Sequence, residues 1–263
     1  MKALVDLNSD LGESFGAYTL GNDGEVMEFV TSANVACGFH AGDPSVMLKT
    51  VKLAVKKGVA VGAHPGHPDL VGFGRRKMSC TPEEVYAFTL YQIGSLRAIA
   101  RANGRELQHV KAHGALYNQA ASDPALAEAI ASAVKDAGGS LILVGLANSA
   151  FRKAAEKAGV PLAEEAFADR EYMPDGSLMP RSRPGAVIHD PEVAARRVLR
   201  MVKEGIVTAD GGVDIALKPD TICLHGDTPE AVENAKKIRE ILEASDVTIM
   251  PMEKVIASRD CRK

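Results

Sequence analysis

The sequence predicts an α/β protein: a closed or nearly closed barrel of about seven strand–helix units. Three observations carry this expectation. Short apolar runs alternate with helix-like stretches, the pattern of parallel strands joined by crossover helices. No low-complexity tract or linker interrupts that rhythm over 263 residues, so a single domain spanning residues 1–263 is expected. Titratable residues recur just after the apolar runs. In a barrel of parallel strands the C-terminal ends share one face, and the loops there build the active site.

Residues 4–7 read as a short buried strand, followed by Asn8-Ser9-Asp10-Leu11-Gly12-Glu13. Successive side chains of a strand face opposite ways, so Asp6, Asn8 and Asp10 share one face. Two carboxylates and an amide make a poor apolar core and need metal, hydrogen-bond or substrate partners. A solvated face of an edge strand is the competing reading.

A short helix is expected over residues 22–30 and a second strand over 33–36, leading into Cys37-Gly38-Phe39-His40-Ala41-Gly42-Asp43-Pro44. Asp43 suits a helix N-cap with Pro44 at the first helical position, and Gly58 suits the stop. The third strand, 59–63, opens into a long Gly- and Pro-rich loop, His64-Pro65-Gly66-His67-Pro68-Asp69 and on to Arg75-Arg76. Such a loop reads as functional rather than as a tight connection. Thr81-Pro82-Glu83-Glu84 is a capping box opening a helix to about 103.

The fourth strand, 107–112, delivers Lys111 and then His113. A helix starts at Ser122-Asp123-Pro124 and ends near Gly138-Gly139. Residues 141–145 form a fifth strand, 148–158 a helix, and 162–167 a strand followed by Asp169 and Arg170. Residues 171–188 break the rhythm with Pro174-Asp175-Gly176, Pro180 and Pro184-Gly185, and read as a hairpin-like excursion over one end of the domain. Asp190-Pro191 restarts a helix to about 204, and 207–214 suggests a small hairpin around Gly211-Gly212. Residues 221–227 are a late strand ending in His225-Gly226-Asp227. Thr228-Pro229-Glu230 starts the last long helix, and 247–250 is a possible final strand.

Composition narrows the function classes. The chain is 46% hydrophobic and 25% charged, with a net charge of −3 and no basic stripe, so nucleic acid is not an expected partner. The apolar stretches are too short for a membrane span. Asp6 and Asp10 stand where an export signal would be apolar, and Cys37, Cys80, Cys223 and Cys261 are scattered without CxxC spacing. A reducing cytoplasm is therefore expected.

Among single motifs, His64-x-x-His67 with Asp6 or Asp10 suits a divalent metal, against a rigid turn with a capping histidine. Lys111 in an apolar strand is either a base with a lowered pKa or a retained charge that holds an anion; a structural ion pair with Asp6 or Glu165 is the alternative. His225 with Asp227 suits a base and its orienting carboxylate, although Asp227 also suits a helix start. Arg75-Arg76 suits an anion or a solvated loop. Cys37 and Cys223 read as core thiols. No GxxxxGK[ST] or GxGxxG run is present, so a conventional nucleotide loop is not supported.

Five motifs together resemble the LamB/YcsF family, the A subunits of ATP-hydrolysing 5-oxoprolinase. They are Asp6-Leu-Asn-Ser-Asp-Leu-Gly-Glu13, Ala33-Asn-Val-Ala-Cys-Gly-Phe-His-Ala-Gly-Asp43, Gly62-Ala-His-Pro-Gly-His-Pro-Asp69, Val110-Lys-Ala-His-Gly-Ala-Leu-Tyr117 and Cys223-Leu-His-Gly-Asp227. The resemblance implies a seven-stranded (β/α) barrel of the glycoside hydrolase/deacetylase type. It implies cleavage of 5-oxo-L-proline to L-glutamate, coupled to hydrolysis of ATP to ADP and phosphate, in a complex with two further 5-oxoprolinase subunits, B and C.

On that reading the expected catalytic residues are Asp10, His64, Lys111 and His225. The expected substrate contacts are Asp6, Asn8, Glu13, His40, His113, Glu165, Asp169, Arg170 and Asp227. Asp10, His64 and His67 are the expected ligands of a possible divalent metal. Two other classes remain open: a stand-alone metal-dependent amidohydrolase or deacetylase, and a non-catalytic subunit that binds the substrate.

Overall fold

In the computed structural model, residues 2–224 and 231–260 are described. In chain order the elements are β1 (Ala3–Leu11), α1 (Asp23–Val26), β2 (Ser32–Ala36), α2 (Pro44–Lys57), β3 (Ala60–His64), α3 (Pro82–Ala102), β4 (His109–Lys111), α4 (Gly114–Ser122), α5 (Pro124–Ala137) and β5 (Ile142–Leu146). There follow α6 (Ala150–Ala158), β6 (Leu162–Phe167), α7 (Pro191–Glu204), β7 (Ile206–Thr208), β8 (Asp214–Ala216), β9 (Thr221–Leu224), α8 (Ala231–Ala244), β10 (Val247–Ile249) and α9 (Met252–Asp260).

The strands β1, β2, β3, β4, β5, β6 and β9 pair in parallel in that order, and β9 pairs back to β1. The ring is therefore closed, a seven-stranded (β/α) barrel. Register across the closure sets Asp6 opposite Thr221 and Asn8 opposite Cys223, while on the other side Asn8 meets Ser32 and Asp10 meets Asn34. Outside the ring, β10 pairs with the first residues of β1, and β7 and β8 form a separate antiparallel hairpin.

The caps behave as their chemistry dictates. Asp43 accepts from the backbone N–H groups of Ser45 and Val46, with Pro44 at the first position of α2, and Gly58 closes that helix at φ 71°. Thr81 and Glu84 complete the reciprocal capping box of α3. Asp123 and Asp190 cap α5 and α7 in the same way as Asp43.

Several expectations are corrected. β1 runs to Leu11 rather than stopping at Leu7, because Asp6, Asn8 and Asp10 turn into the barrel and find partners there. The helix after β1 is only four residues long, and β4 is three residues. An additional helix, α4, precedes α5; it starts at Gly114 (φ 55°) and buries Ala115, Leu116, Tyr117 and Ala120. α9 is also additional. It packs Met252 and Ile256 against Ile142, Val144 and Ala163 of β5 and β6, giving part of the barrel lining an apolar patch. The excursion over 171–188 is a hairpin with bridges Arg170–Val187 and Tyr172–Leu178.

The barrel interior admits one close approach that fixes a residue type. A Cβ on Gly62 would fall 2.1 Å from His109 Nε2, so β3 passes beside the buried imidazole only as glycine. Among the described residues, no helix is long and apolar enough to cross a membrane.

Candidate active site

The site grows out of an interior network of polar groups carried on alternate residues of β1, β2, β3, β4, β6 and β9. Deepest lies Asp6, wholly buried. Its carboxylate accepts hydrogen bonds from Ser32 Oγ (2.6 Å), Thr31 Oγ1 (2.8 Å) and Thr221 Oγ1 (2.5 Å). Burial pushes it up to about 6 despite those three hydroxyls. Asp6 is thus sealed beneath the site and braces three strands; the expected substrate contact is corrected. Asn8 also faces protein only. It donates to Glu165 Oε1 (3.0 Å) and Thr221 Oγ1 (2.7 Å) and accepts from Asn34 Nδ2 (2.7 Å) and Lys111 Nζ (3.2 Å).

Lys111 occupies the centre of the network. Its ammonium lies 2.8 Å from Glu165 Oε1, 3.1 Å from Asp10 Oδ1 and 3.0 Å from Cys223 Sγ. Burial opposes the charge, but Asp10 and Glu165 outweigh it, and the ammonium is held well above its ordinary value. Cys223 stays a thiol, since burial pushes it well up. Lys111 is therefore a permanent cation and not a general base. Glu165 is shared further with the Tyr117 hydroxyl, which donates to Oε2 at 2.7 Å.

Above this layer four acceptors converge. His64 Nδ1 lies 2.7 Å from the Lys111 carbonyl oxygen, and His113 Nε2 lies 2.9 Å from that of Phe73. A carbonyl only accepts, so both of those nitrogens carry a proton. That sets His64 Nε2 and His113 Nδ1 facing each other at 3.0 Å. Asp10 Oδ2 lies 3.3 Å from His64 Nε2, and Glu13 Oε1 lies 3.3 Å from His113 Nδ1.

His40 completes the group. It stacks on His113, ring centroids 3.7 Å apart, with its Nε2 3.2 Å from Glu13 Oε1. Its buried Nδ1 has no hydrogen-bond partner among the described residues. Burial holds His40 and His113 well below the ordinary imidazole value, so both are neutral. One ligand atom from each of Glu13, His40, His64 and His113 lies within 4.8 Å of the others. Three imidazoles and a carboxylate suit zinc or a similar divalent ion, and a carbonyl on the far nitrogen of two rings is the usual support of a metal-bound histidine.

The loop that supplies the Phe73 carbonyl is built for the purpose. Asp69 accepts from Gly72 N (2.9 Å) and pairs with Arg76, whose guanidinium holds that carboxylate down at about 2. Phe73 itself takes a left-handed φ of 54°, uncommon for an aromatic residue, and so turns its carbonyl toward His113. Gly74 follows at φ 62°; a Cβ there would press on His40 and His113.

The expected metal ligand His67 is corrected. Its Nε2 lies 3.0 Å from Gln119 Oε1 and its Nδ1 faces Cys80 Sγ at 3.8 Å, outside the histidine cluster. Asp10 stands beside the cluster through His64. Arg76 is committed to Asp69, so the arginine pair splits, and only Arg75 reaches the site.

A cavity of about 60 Å³ opens onto these groups; Asp10, Glu13, His64, Lys111, His113 and Tyr117 form part of its wall, and Arg75, Arg170 and Arg181 also reach it. Of the expected substrate contacts, Glu13, His113 and Arg170 line the cavity. Asn8, His40 and Glu165 lie behind its wall, and Asp169 sits in a different recess with Ala194, Leu224 and Ile238. His225 and Asp227, with the Thr228 cap, lie outside the described residues.

Sequence reasoning missed Asn34 and His109. Asn34 Nδ2 donates to Asp10 Oδ1 (2.8 Å) and its Oδ1 accepts from His109 Nε2 (2.7 Å). Both share the strand phase of expected site residues: Asn34 pairs with Asp10 across β1 and β2, and His109 is two residues before Lys111.

The chain is 58% identical over 252 residues to the 5-oxoprolinase A subunit of Pyrococcus horikoshii, covering 96% of this chain and 99% of that one. It is 54% identical over 253 residues to the 5-oxoprolinase A subunit of Oceanobacillus iheyensis, covering 96% and 98%. Among solved structures it matches the crystal structure of a lactam utilization protein from Thermus thermophilus at 53% identity and a TM-score of 0.89, over 95% of this chain and 99% of that chain. The structure of a T48 deacetylase with substrate shares the fold at 14% identity and a TM-score of 0.51, over 98% and 92%. The LamB/YcsF family pattern matches residues 5–257, and the chain belongs to the LamB/YcsF family.

Proposed function

We propose that this chain is a hydrolase acting on the C–N bond of a cyclic amide. In this reading it is the A subunit of an ATP-hydrolysing 5-oxoprolinase and opens 5-oxo-L-proline to L-glutamate in a cytoplasmic complex with the B and C subunits, residues 1–263 working as one barrel domain. The relatives named as 5-oxoprolinase A subunits, at 54% and 58% identity over nearly the whole chain, support the substrate. The observation that carries the chemistry is the convergence of Asp10, Glu13, His64 and His113 on one small cavity with Lys111 beneath them.

A five-membered lactam is a resonance-stabilised amide with a weakly electrophilic carbonyl. Converting its oxygen to a phosphate ester with ATP, with release of ADP, activates the ring carbon: water adds there, the C–N bond breaks to free the protonated amine, and a second water hydrolyses the resulting acyl phosphate to carboxylate and phosphate. The net change is consumption of ATP and two waters, one for the phosphate and one for the amide, with release of glutamate, ADP and phosphate. The attacking water needs a base: Asp10, paired with the Lys111 ammonium, is poised to take its proton, and His64 is next in line at 3.3 Å. Lys111 also offers fixed positive charge to the oxygen that gains negative charge. Glu13, His40, His64 and His113 would hold a divalent ion, which would supply Lewis acidity at the carbonyl.

The test is glutamate release from 5-oxoproline by the chain alone and with its two candidate partner subunits, each with and without ATP. Turnover only in the full mixture with ATP supports the multi-subunit reading. Turnover by the chain alone without ATP replaces it with a stand-alone metal-dependent amidohydrolase, which the histidine-rich donor set also suits.

A further inference from the structure

The register of the barrel sets four residues in one row: Asp10 stands opposite Asn34, Asn34 opposite Gly62, and Gly62 opposite His109. Gly62 has no side chain, and the His109 imidazole fills the space where one would stand, since a Cβ there would lie 2.1 Å from His109 Nε2. The ring thereby reaches across β3, and its Nε2 comes within 2.7 Å of Asn34 Oδ1. Layers inside a parallel barrel are ordinarily filled by branched apolar side chains. Here a wholly buried amide and a wholly buried imidazole take that place, an arrangement that costs free energy unless the polar atoms find partners.

The partners fix the direction of each group. Asp10, as a carboxylate, only accepts, so the amide nitrogen of Asn34 is the atom that faces it, 2.8 Å from Oδ1. The same nitrogen donates to Asn8 Oδ1 at 2.7 Å, which leaves the Asn34 oxygen for His109. His109 Nε2 therefore donates. Its Nδ1 lies 3.2 Å from the side-chain amide of Gln108, whose NH2 can donate to it. Burial, and then the charge of Lys111, hold His109 down at about 3, so the ring is neutral and its one proton sits on Nε2. Lys111 touches the same Asp10 Oδ1 at 3.1 Å, but its ammonium is a point charge shared with Glu165 and Asn8 and attracts a carboxylate from many directions. The Asn34 N–H, pinned from behind by His109, adds the directional contact. Asp10 Oδ2 is then turned toward His64 Nε2, 3.3 Å away, and both residues line the catalytic cavity.

We propose that Asn34 and His109 are positioning residues that fix the plane of the Asp10 carboxylate, with Gly62 as the gap through which the imidazole reaches. Neither residue lines the cavity, so both act through Asp10. The proposal deepens the hydrolase reading above and rests on it for the role of Asp10 as base. A base held in one orientation before the substrate enters has no reorganisation left to make when water gives up its proton.

The experiment compares the parent chain with His109→Leu, His109→Gln and Asn34→Ser. Each is assayed for glutamate release from 5-oxoproline in the full three-subunit mixture with ATP, and a crystal structure of each chain is determined. Leucine removes the donor, whereas glutamine places an N–H near the position of Nε2; Asn34→Ser leaves the imidazole in place should His109→Leu not fold. His109→Leu and Asn34→Ser should lower kcat by about tenfold to a hundredfold with KM within about twofold of the parent, the pattern of a lost transition-state interaction. Their Asp10 carboxylate should be turned by about 30° or more. His109→Gln should keep Asp10 in place and kcat within about threefold of the parent. Loss of stability in His109→Leu with turnover intact and Asp10 unmoved means a structural pair only and overturns the proposal. Equal losses of kcat in His109→Gln and His109→Leu also overturn it. A parent that releases no glutamate defeats the 5-oxoprolinase reading instead, and the crystal structures then decide alone: a carboxylate turned in His109→Leu and restored in His109→Gln supports the positioning role, and an unmoved one overturns it.

Discussion

His64 Nε2 and His113 Nδ1 face each other at 3.0 Å, each ring tied by its other nitrogen to a backbone carbonyl. The contact brings two ring nitrogens together beside the carboxylates of Asp10 and Glu13, a set of donor atoms that a cation would bind. The purified chain should therefore take up one divalent ion, and His113→Ala should weaken that uptake at least about tenfold. Metal analysis after dialysis checks this. A chain that takes up none while turning over normally would mean that the two rings share a proton instead.

Lys111→Met should remove turnover and also destabilise the fold. It leaves the buried Glu165 and the partly buried Asp10 without their cation, a loss of about 3–5 kcal/mol by the usual cost of breaking a buried ion pair. Adding Glu165→Gln removes one of the stranded charges, so the double variant should recover part of the stability but none of the activity. Urea melts of the three proteins measure the coupling. A double variant no more stable than Lys111→Met would contradict the assignment.

Gly62→Ala should cost about 1–3 kcal/mol by overpacking, because the new Cβ meets the His109 ring. His109→Ala in the same chain should restore room, so the two changes should be strongly non-additive. Additive losses in thermal melts would show that the clash is relieved in some other direction.

Two buried groups set opposite pH trends. His109 is kept neutral by burial, its folded value about 3 against an ordinary 6.5. The unfolded chain takes up that proton first, so its stabilising contribution is complete above about pH 6.5 and falls as pH drops toward 3, by about 4–5 kcal/mol. Asp6, raised to about 6 from 3.8, is the reverse. The folded chain holds the proton longer, so its contribution is greatest below about pH 4 and about 3 kcal/mol is lost by about pH 6 to 7. Denaturant melts from about pH 4 to 8 on Asp6→Asn should therefore lack the declining component present in the parent. Identical pH slopes in the two proteins would rule out this role for Asp6.

The barrel was legible because its rhythm is local. Apolar runs, caps such as Asp43 and Thr81, and stops such as Gly58 each declare themselves within a few residues. The alternation of Asp6, Asn8 and Asp10 likewise identified an inward face on β1 without knowledge of its neighbours. The same alternation places Asn34 and His109, but both lie inside apolar runs rather than just after them and so drew no notice. His67 misled for the opposite reason: its spacing from His64 suggests a shared ligand, whereas the partner that meets His64 is His113, delivered by a different strand and oriented by the Phe73 carbonyl. Which of two histidines turns inward depends on the left-handed turn at Phe73 and Gly74, a detail that spacing does not encode. α4 was hidden because its end coincides with the strong Ser122-Asp123-Pro124 start of α5.

The closure of the ring between β1 and β9 has a kinetic consequence. β1 precedes β9 in chain order, and the strand that seals it carries Thr221 and Cys223, with Thr221 lying 215 residues beyond Asp6. Asp6 and Asn8 must remain without their Thr221 partner, and Lys111 without Cys223, until β9 has been made. Contacts of such long sequence separation slow folding, and here they place charged residues on the strand that waits. A nascent chain therefore presents β1 as a polar-faced segment rather than a sticky apolar one, a property that lowers the risk of misassembly during the delay.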